Sequence, residues 1–161
     1  MGSGKFGFGR SVAVTAVGSV LIALTAGPAE CATWRVLGGD PDPANHTMIF
    51  GDAASVRTST PNHRQMWITT VFDRDAGEVE RTELLEFDCP GGRHRRLSAV
   101  ARNDHGAVIG NDDLPTPWSY IPPDSQAADI ASAACRGFSR DAFAVDNPVQ
   151  TGRELMKRLR Q

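Results

Sequence analysis

Cys89 and Cys135 are the side chains in this 161-residue chain whose type and setting most clearly define a bond. They lie 46 residues apart, far from the Cys-x-x-Cys spacing of redox pairs. In an oxidising compartment such a pair reads as a structural disulfide; in a reducing one it would leave two thiols open to metal or redox chemistry. A zinc site needs several Cys or His ligands at compact spacing. Cys89 and His94 share a hairpin, but His46, His63 and His105 fall in loop-like segments, so neither metal nor cofactor is expected. Ser98 and Ser119 have no neighbouring His and no Gly-x-Ser-x-Gly elbow around them, which removes the usual signs of an activated nucleophile. Asp112-Asp113 sits in a proline-rich loop and reads as a solvated turn, and Gly91-Gly92 as a hairpin turn. The residues therefore predict a protein that is not an enzyme and takes no small-molecule substrate.

The densest positive cluster is Arg93, Arg95 and Arg96, with His94 between them. On a strand Arg93 and Arg95 face one way while His94 and Arg96 face the other. Such a run serves either as strand charge that discourages edge-to-edge aggregation or as a docking patch for an acidic ligand, a sulfated glycan or an acidic protein segment. Trp118, beside Pro117, is the tryptophan best placed for partial exposure, since Trp34 and Trp67 read as sheet-packing residues. Arg93, Arg95, Arg96 and Trp118 are the candidate ligand contacts.

The compartment is read from residues 1–29. Lys5 and Arg10 form a positive start with no acidic residue before Glu30; residues 12–26 are apolar and small; Gly27-Pro28-Ala29 ends in a small-x-small cleavage site. This predicts a signal peptide at 1–29 and export to the periplasm, the outer membrane or the cell surface. An uncleaved anchor and lipid attachment at Cys31 are the rival readings, the first weakened by the shortness of the apolar run and the second by Glu30. Without Lys5 and Arg10 the 17 basic side chains fall to 15 against 19 acidic, a net charge of about −4. That balance excludes a general attraction to nucleic acid.

The remaining chain must position these side chains in one domain with a modest core. Residues 33–37 alternate as a first strand, and the run Gly38-Gly39-Asp40-Pro41-Asp42-Pro43 reads as its end. Met48-Ile49-Phe50 is a short strand, with another at 53–58 or a continuation after a kink at Gly51-Asp52. Residues 64–73 form the clearest strand; Met66, Ile68, Thr70 and Phe72 share one face and Trp67, Thr69 and Val71 the other, so both faces must be covered. Residues 81–89 and 93–102 pair as a hairpin across Pro90-Gly91, which suits a type II turn. A second turn at 103–106 leads to a short strand at 107–110. Four prolines exclude helix from residues 111–124, after which Asp124 or Ser125 caps a helix whose stripe is Ala127, Ile130, Ala131, Ala134 and Cys135, ended by Gly137. Residues 139–161 form a weakly patterned tail with a short basic helix near 153–160, too short to hold alone.

With these elements in place the chain resembles the surface-adhesin protein E-like family of small Gram-negative envelope proteins. The resemblance is carried by Trp34, by Leu84-Leu85-Glu86-Phe87-Asp88-Cys89, by the basic strand through Arg96-Leu97, and by Trp118, Ile121, Pro123 and Ser125 ahead of Cys135. It covers residues 33–137 and implies an α+β fold: an antiparallel sheet packed by a short helix, with Cys89 joined to Cys135. A domain at 33–138 is thus expected between the leader and the tail at 139–161. The family takes its name from a member that binds host matrix and serum proteins. The resemblance implies partners among envelope or extracellular proteins, the alternative being a structural or accessory periplasmic protein with no host ligand. Exposed edge strands of a small sheet would also allow a homodimer.

Overall fold

The computed structural model describes residues 31–40, 46–74 and 77–160; the leader at 1–29 lies outside the described residues. Nine strands form one antiparallel sheet: β1 (Trp34–Asp40), β2 (Thr47–Asp52), β3 (Arg57–Thr60), β4 (His63–Phe72), β5 (Glu80–Asp88), β6 (Arg93–Arg102), β7 (Val108–Asp112), β8 (Ser119–Tyr120) and β9 (Ala144–Val145). Their order across the sheet is β7-β6-β5-β4-β2-β1-β9, with β3 joined to β4 and β8 to β6. Among the described residues two helices accompany the sheet, α1 (Gln126–Arg136) and α2 (Pro148–Leu159). The α+β class expected from the sequence is the one observed.

Both faces of β4 are covered, as its two-sided apolar pattern requires. Ile49, Met66, Ile68, Leu85 and Phe87 pack beneath Ile130, Ala133 and Ala134 of α1. Met48, Phe50 and Val71 pack beneath Met156 of α2 on the opposite face. Residues i and i+1 of a strand point to opposite faces, so Met48 and Ile49 alone supply one side chain to each core. Ser125 caps α1 by accepting a hydrogen bond from the Ala128 amide at 3.2 Å, and Gly137, at φ 100°, ends it. The buried stripe is rotated slightly from the expected one, with Ala133 taking the place of Ala127.

Three segments differ from their sequence expectation. β1 runs on through Gly38-Gly39 to Asp40, with a register shift between Val36 and Gly38; a bulge lets the glycines remain paired to β2 where a turn was expected. β2 continues through Gly51-Asp52 into a 3-10 turn at Ala53–Ser55, capped by the Asp52 carboxylate. The largest difference is the tail. Arg35 donates to the Ala142 carbonyl at 2.7 Å, β9 adds to the β1 edge, and α2 starts at Pro148, capped by Asn147. Met156 is fully buried, and an added Cβ at Gly152 would meet the Val71 side chain at 3.0 Å. The tail thus packs on the same sheet as the domain before it.

Candidate functional site

Cys89 and Cys135 are joined, with Cα atoms 5.8 Å apart. The bond ties the end of β5 to the last turn of α1 and borders a mainly apolar groove of about 490 Å³ lined by Phe87, Pro90, Ile121, Ala128 and Ala131. Cys31 is free and exposed.

The four candidate ligand contacts separate into two places. The hairpin register pairs Asp88 with Arg93 and Glu86 with Arg95 across the strands, on the face opposite α1. Arg93 reaches Asp88 at 2.5 Å. Arg95 holds Glu86 through two hydrogen bonds of 2.8 and 2.6 Å. Trp118 lies across both guanidiniums, 5.6 Å from that of Arg93 and 4.7 Å from that of Arg95, with His63 edge-on at 5.2 Å. Arg96 is on the other face, bonded to Asp112 and 3.8 Å from Glu83. Each arginine of the cluster therefore already has a carboxylate partner. The sign of the cluster was legible in sequence, and its neutralisation follows from the hairpin register, which sets Glu86 and Asp88 opposite Arg95 and Arg93. The turn spans residues 89–92 with its positive φ, 60°, at Gly92, not at Gly91 as the expected type II turn requires.

Glu86 is the centre of this array. It is buried, and accepts from Ser59 at 2.6 Å and Gln65 at 3.1 Å besides Arg95. Burial works to raise its pKa, but the hydrogen bonds from Ser59, Arg95 and Gln65 outweigh it and hold the carboxyl below its ordinary value. Asp88 is lowered by its bonds to Arg93 and to the Gly91 amide. Glu83 goes the other way: burial raises it, against the attraction of Arg81 and Arg96. His94, stacked 6.3 Å from Phe87, is lowered by burial alone, so its ring is neutral near pH 7. Among the described residues no group of three His, Cys, Asp or Glu is placed to hold a metal ion.

The exposed apolar surface was not legible. Leu114 is 76 % exposed, Tyr120 69 %, Val108 59 % and Ile109 51 %. All four lie on the β6 side of the sheet that ends the strand order, where β7 and β8 follow one another along the same neighbour. The register shift between Ala101 and Arg102 leaves Ile109 as the extra residue of a bulge, which turns it outward. The only signal in sequence was Val108-Ile109 standing next to Gly-Asn-Asp-Asp, two apolar residues in a strand too short to have a covered face.

An antiparallel sheet with a helix on each face and one disulfide defines a small α+β fold. Residues 34–136 match the family model of surface-adhesin protein E, and the chain belongs to that family. No curated protein and no solved structure gives a significant match. Membership makes this an exported, surface-class protein, and among the described residues no helix is long and apolar enough to cross a membrane. The match ends before β9 and α2.

Proposed function

We propose that the protein is a non-enzymatic binding module of the cell envelope that engages another protein through the β7–β8 edge. The observation that carries this reading is that Val108, Ile109, Leu114 and Tyr120, each more than half exposed, are spread along one edge of the sheet, from Val108 opposite Arg102 to Tyr120 opposite Arg93. A row of exposed apolar side chains along a sheet edge is surface of the kind that a protein partner covers. The bulge at Ile109 discourages simple strand addition, so the contact runs through side chains, with Tyr120 and the half-exposed Arg93 of types enriched at binding hot spots. Family membership supports the class of activity, and the leader pattern at 1–29 supports a site of action in the periplasm or at the outer surface.

The test is surface-plasmon resonance of the purified protein against a panel of extracellular-matrix, serum and envelope proteins. Ile109→Lys and Tyr120→Ala should each weaken the observed binding by about tenfold or more, as expected for hot-spot residues, with unchanged melting temperature. Binding that ignores both substitutions would reject the edge as the contact surface.

A further inference from the structure

The arginines of the β5–β6 hairpin are paired with carboxylates, whereas several cations elsewhere, Arg35, Arg64, Arg136 and Arg158 among them, have no ion-pair partner among the described residues, and three of these cations converge on one groove. Arg81 pairs with Glu78, Arg93 with Asp88, Arg95 with Glu86, Arg96 with Asp112 and Arg102 with Glu80. Arg153 and Lys157 of α2 and Arg74 after β4 have no ion-pair partner among the described residues, and all three line one groove of about 470 Å³. Its other walls are Phe72, Asp73, Asp104 and Arg160. Arg160 neutralises Asp73, donating at 2.7 Å, and Arg74 rests on the Phe72 ring at 4.8 Å.

We infer that this groove binds an anionic saccharide carrying sulfate or phosphate ester groups. Three cations without carboxylate partners, converging from α2 and the end of β4, supply an unneutralised positive field. Arg153 and Lys157 are four residues apart and stand on the same side of α2, so they can grip successive anionic groups. Asp73 and Asp104 offer acceptors for sugar hydroxyls, which a plain anion does not need. The volume falls in the range of small-ligand sites. A membrane surface fits less well: Val149, Leu155 and Met156 of α2 are packed on the sheet, and the exposed Leu159 at its end is a single side chain where an interfacial helix inserts a whole apolar face.

The experiment is calorimetric titration of the full-length protein, at low and at physiological salt, with three probes. These are a sulfated heparin-derived tetrasaccharide, the same tetrasaccharide desulfated, and a bisphosphorylated glucosamine disaccharide without acyl chains. The expected result is saturable binding of one or both charged probes, weakened by salt, with no binding of the desulfated one; the tighter charged probe identifies the ester. Arg153→Ala with Lys157→Ala should reduce affinity at least tenfold, and since both side chains are exposed the melting temperature should hold. Arg136→Ala with Arg140→Ala removes the same charge away from the groove and should leave affinity within twofold. Equal loss in both double variants, or no binding of either charged probe, would overturn the assignment. Preferential binding to vesicles of anionic phospholipid, dependent on Arg153 and Lys157, would overturn the saccharide and make the groove a membrane contact. The β7–β8 edge is untouched by these variants, so failure here and failure of the edge contact are separable.

Discussion

The C-terminal helix lies beyond the family match, yet its packing makes a prediction with opposite signs for docked and undocked helices. Gly152 and Met156 are the two fully enclosed positions of α2. Met156→Ala would empty a site sealed by Met48, Phe50 and Val71, at a cost of about 2–5 kcal/mol for buried Met to Ala. Gly152→Leu would drive a side chain into Val71, whose Cβ and both methyls already lie 3.0–3.2 Å from where a Cβ would stand; overpacking of this kind costs about 1–3 kcal/mol. On a helix standing free in solvent, Met to Ala is nearly neutral and Gly to Leu stabilises by about 0.8 kcal/mol through helix propensity. Urea unfolding of the oxidised protein, followed by tryptophan fluorescence, measures both. Two destabilised variants with unchanged m-values are expected, and the melting temperature should fall by roughly 3 °C or more per kcal/mol for a domain of this size. A Gly152→Leu protein more stable than its parent, with Met156→Ala within about 0.5 kcal/mol of it, would refute the docking of α2 and with it the groove that α2 builds.

Two further outcomes follow from the polar and covalent ties. Replacing Cys89 and Cys135 together by Ala opens a 46-residue loop and should lower stability by about 4 kcal/mol on the chain-entropy model; calorimetry showing less than about 1 kcal/mol would mean the bond does not constrain the unfolded chain. Acid unfolding should carry two opposing contributions. Glu86 and Asp88 have folded pKa values below their unfolded ones, so their stabilisation is complete above the ordinary carboxylate range and is lost as pH falls through the folded values. Glu83 is raised, so its ionisation costs stability at neutral pH and that cost disappears as pH falls through its folded value. Glu83→Gln should therefore gain relative stability at pH 7 and lose that advantage in acid, while Glu86→Gln should be destabilised at pH 7 and converge on the parent in acid. Parallel pH profiles for both variants would contradict the assigned directions.

The central hairpin and α1 were legible because each carries local signals that agree with its surroundings. β4 to β6 alternate with period two around a Pro-Gly turn, and α1 has Ser125 before it, Gly137 after it and an apolar stripe between. β9 and α2 were only partly legible for physical reasons. β9 has two residues and is ordered by its pairing with Trp34 and Arg35 rather than by its own composition. The inward face of α2 includes Gly152, which reads as a helix weakener until Val71 is known to stand opposite it. Helix propensity therefore marks only the basic last two turns, while the docked helix begins at Pro148.

The same distinction decides how the charges should be read. Arg93, Arg95 and Arg96 are conspicuous because they are adjacent, but adjacency on a strand next to Glu83, Glu86 and Asp88 guarantees cross-strand pairing once the hairpin closes. Their potential cancels at short range, and an approaching acidic ligand would have to compete with carboxylates already held at hydrogen-bond distance, Glu86 in a buried site where separating the pair leaves a charge unpaired. Arg74, Arg153 and Lys157 are inconspicuous because 79 residues separate the first two in sequence. They become a cluster only because α2 returns to the sheet and lies along the end of β4. An unpaired cation can accept a new anion without first breaking a bond, which is the reason to look for the anion site in the α2 groove and not on the dense run of β6.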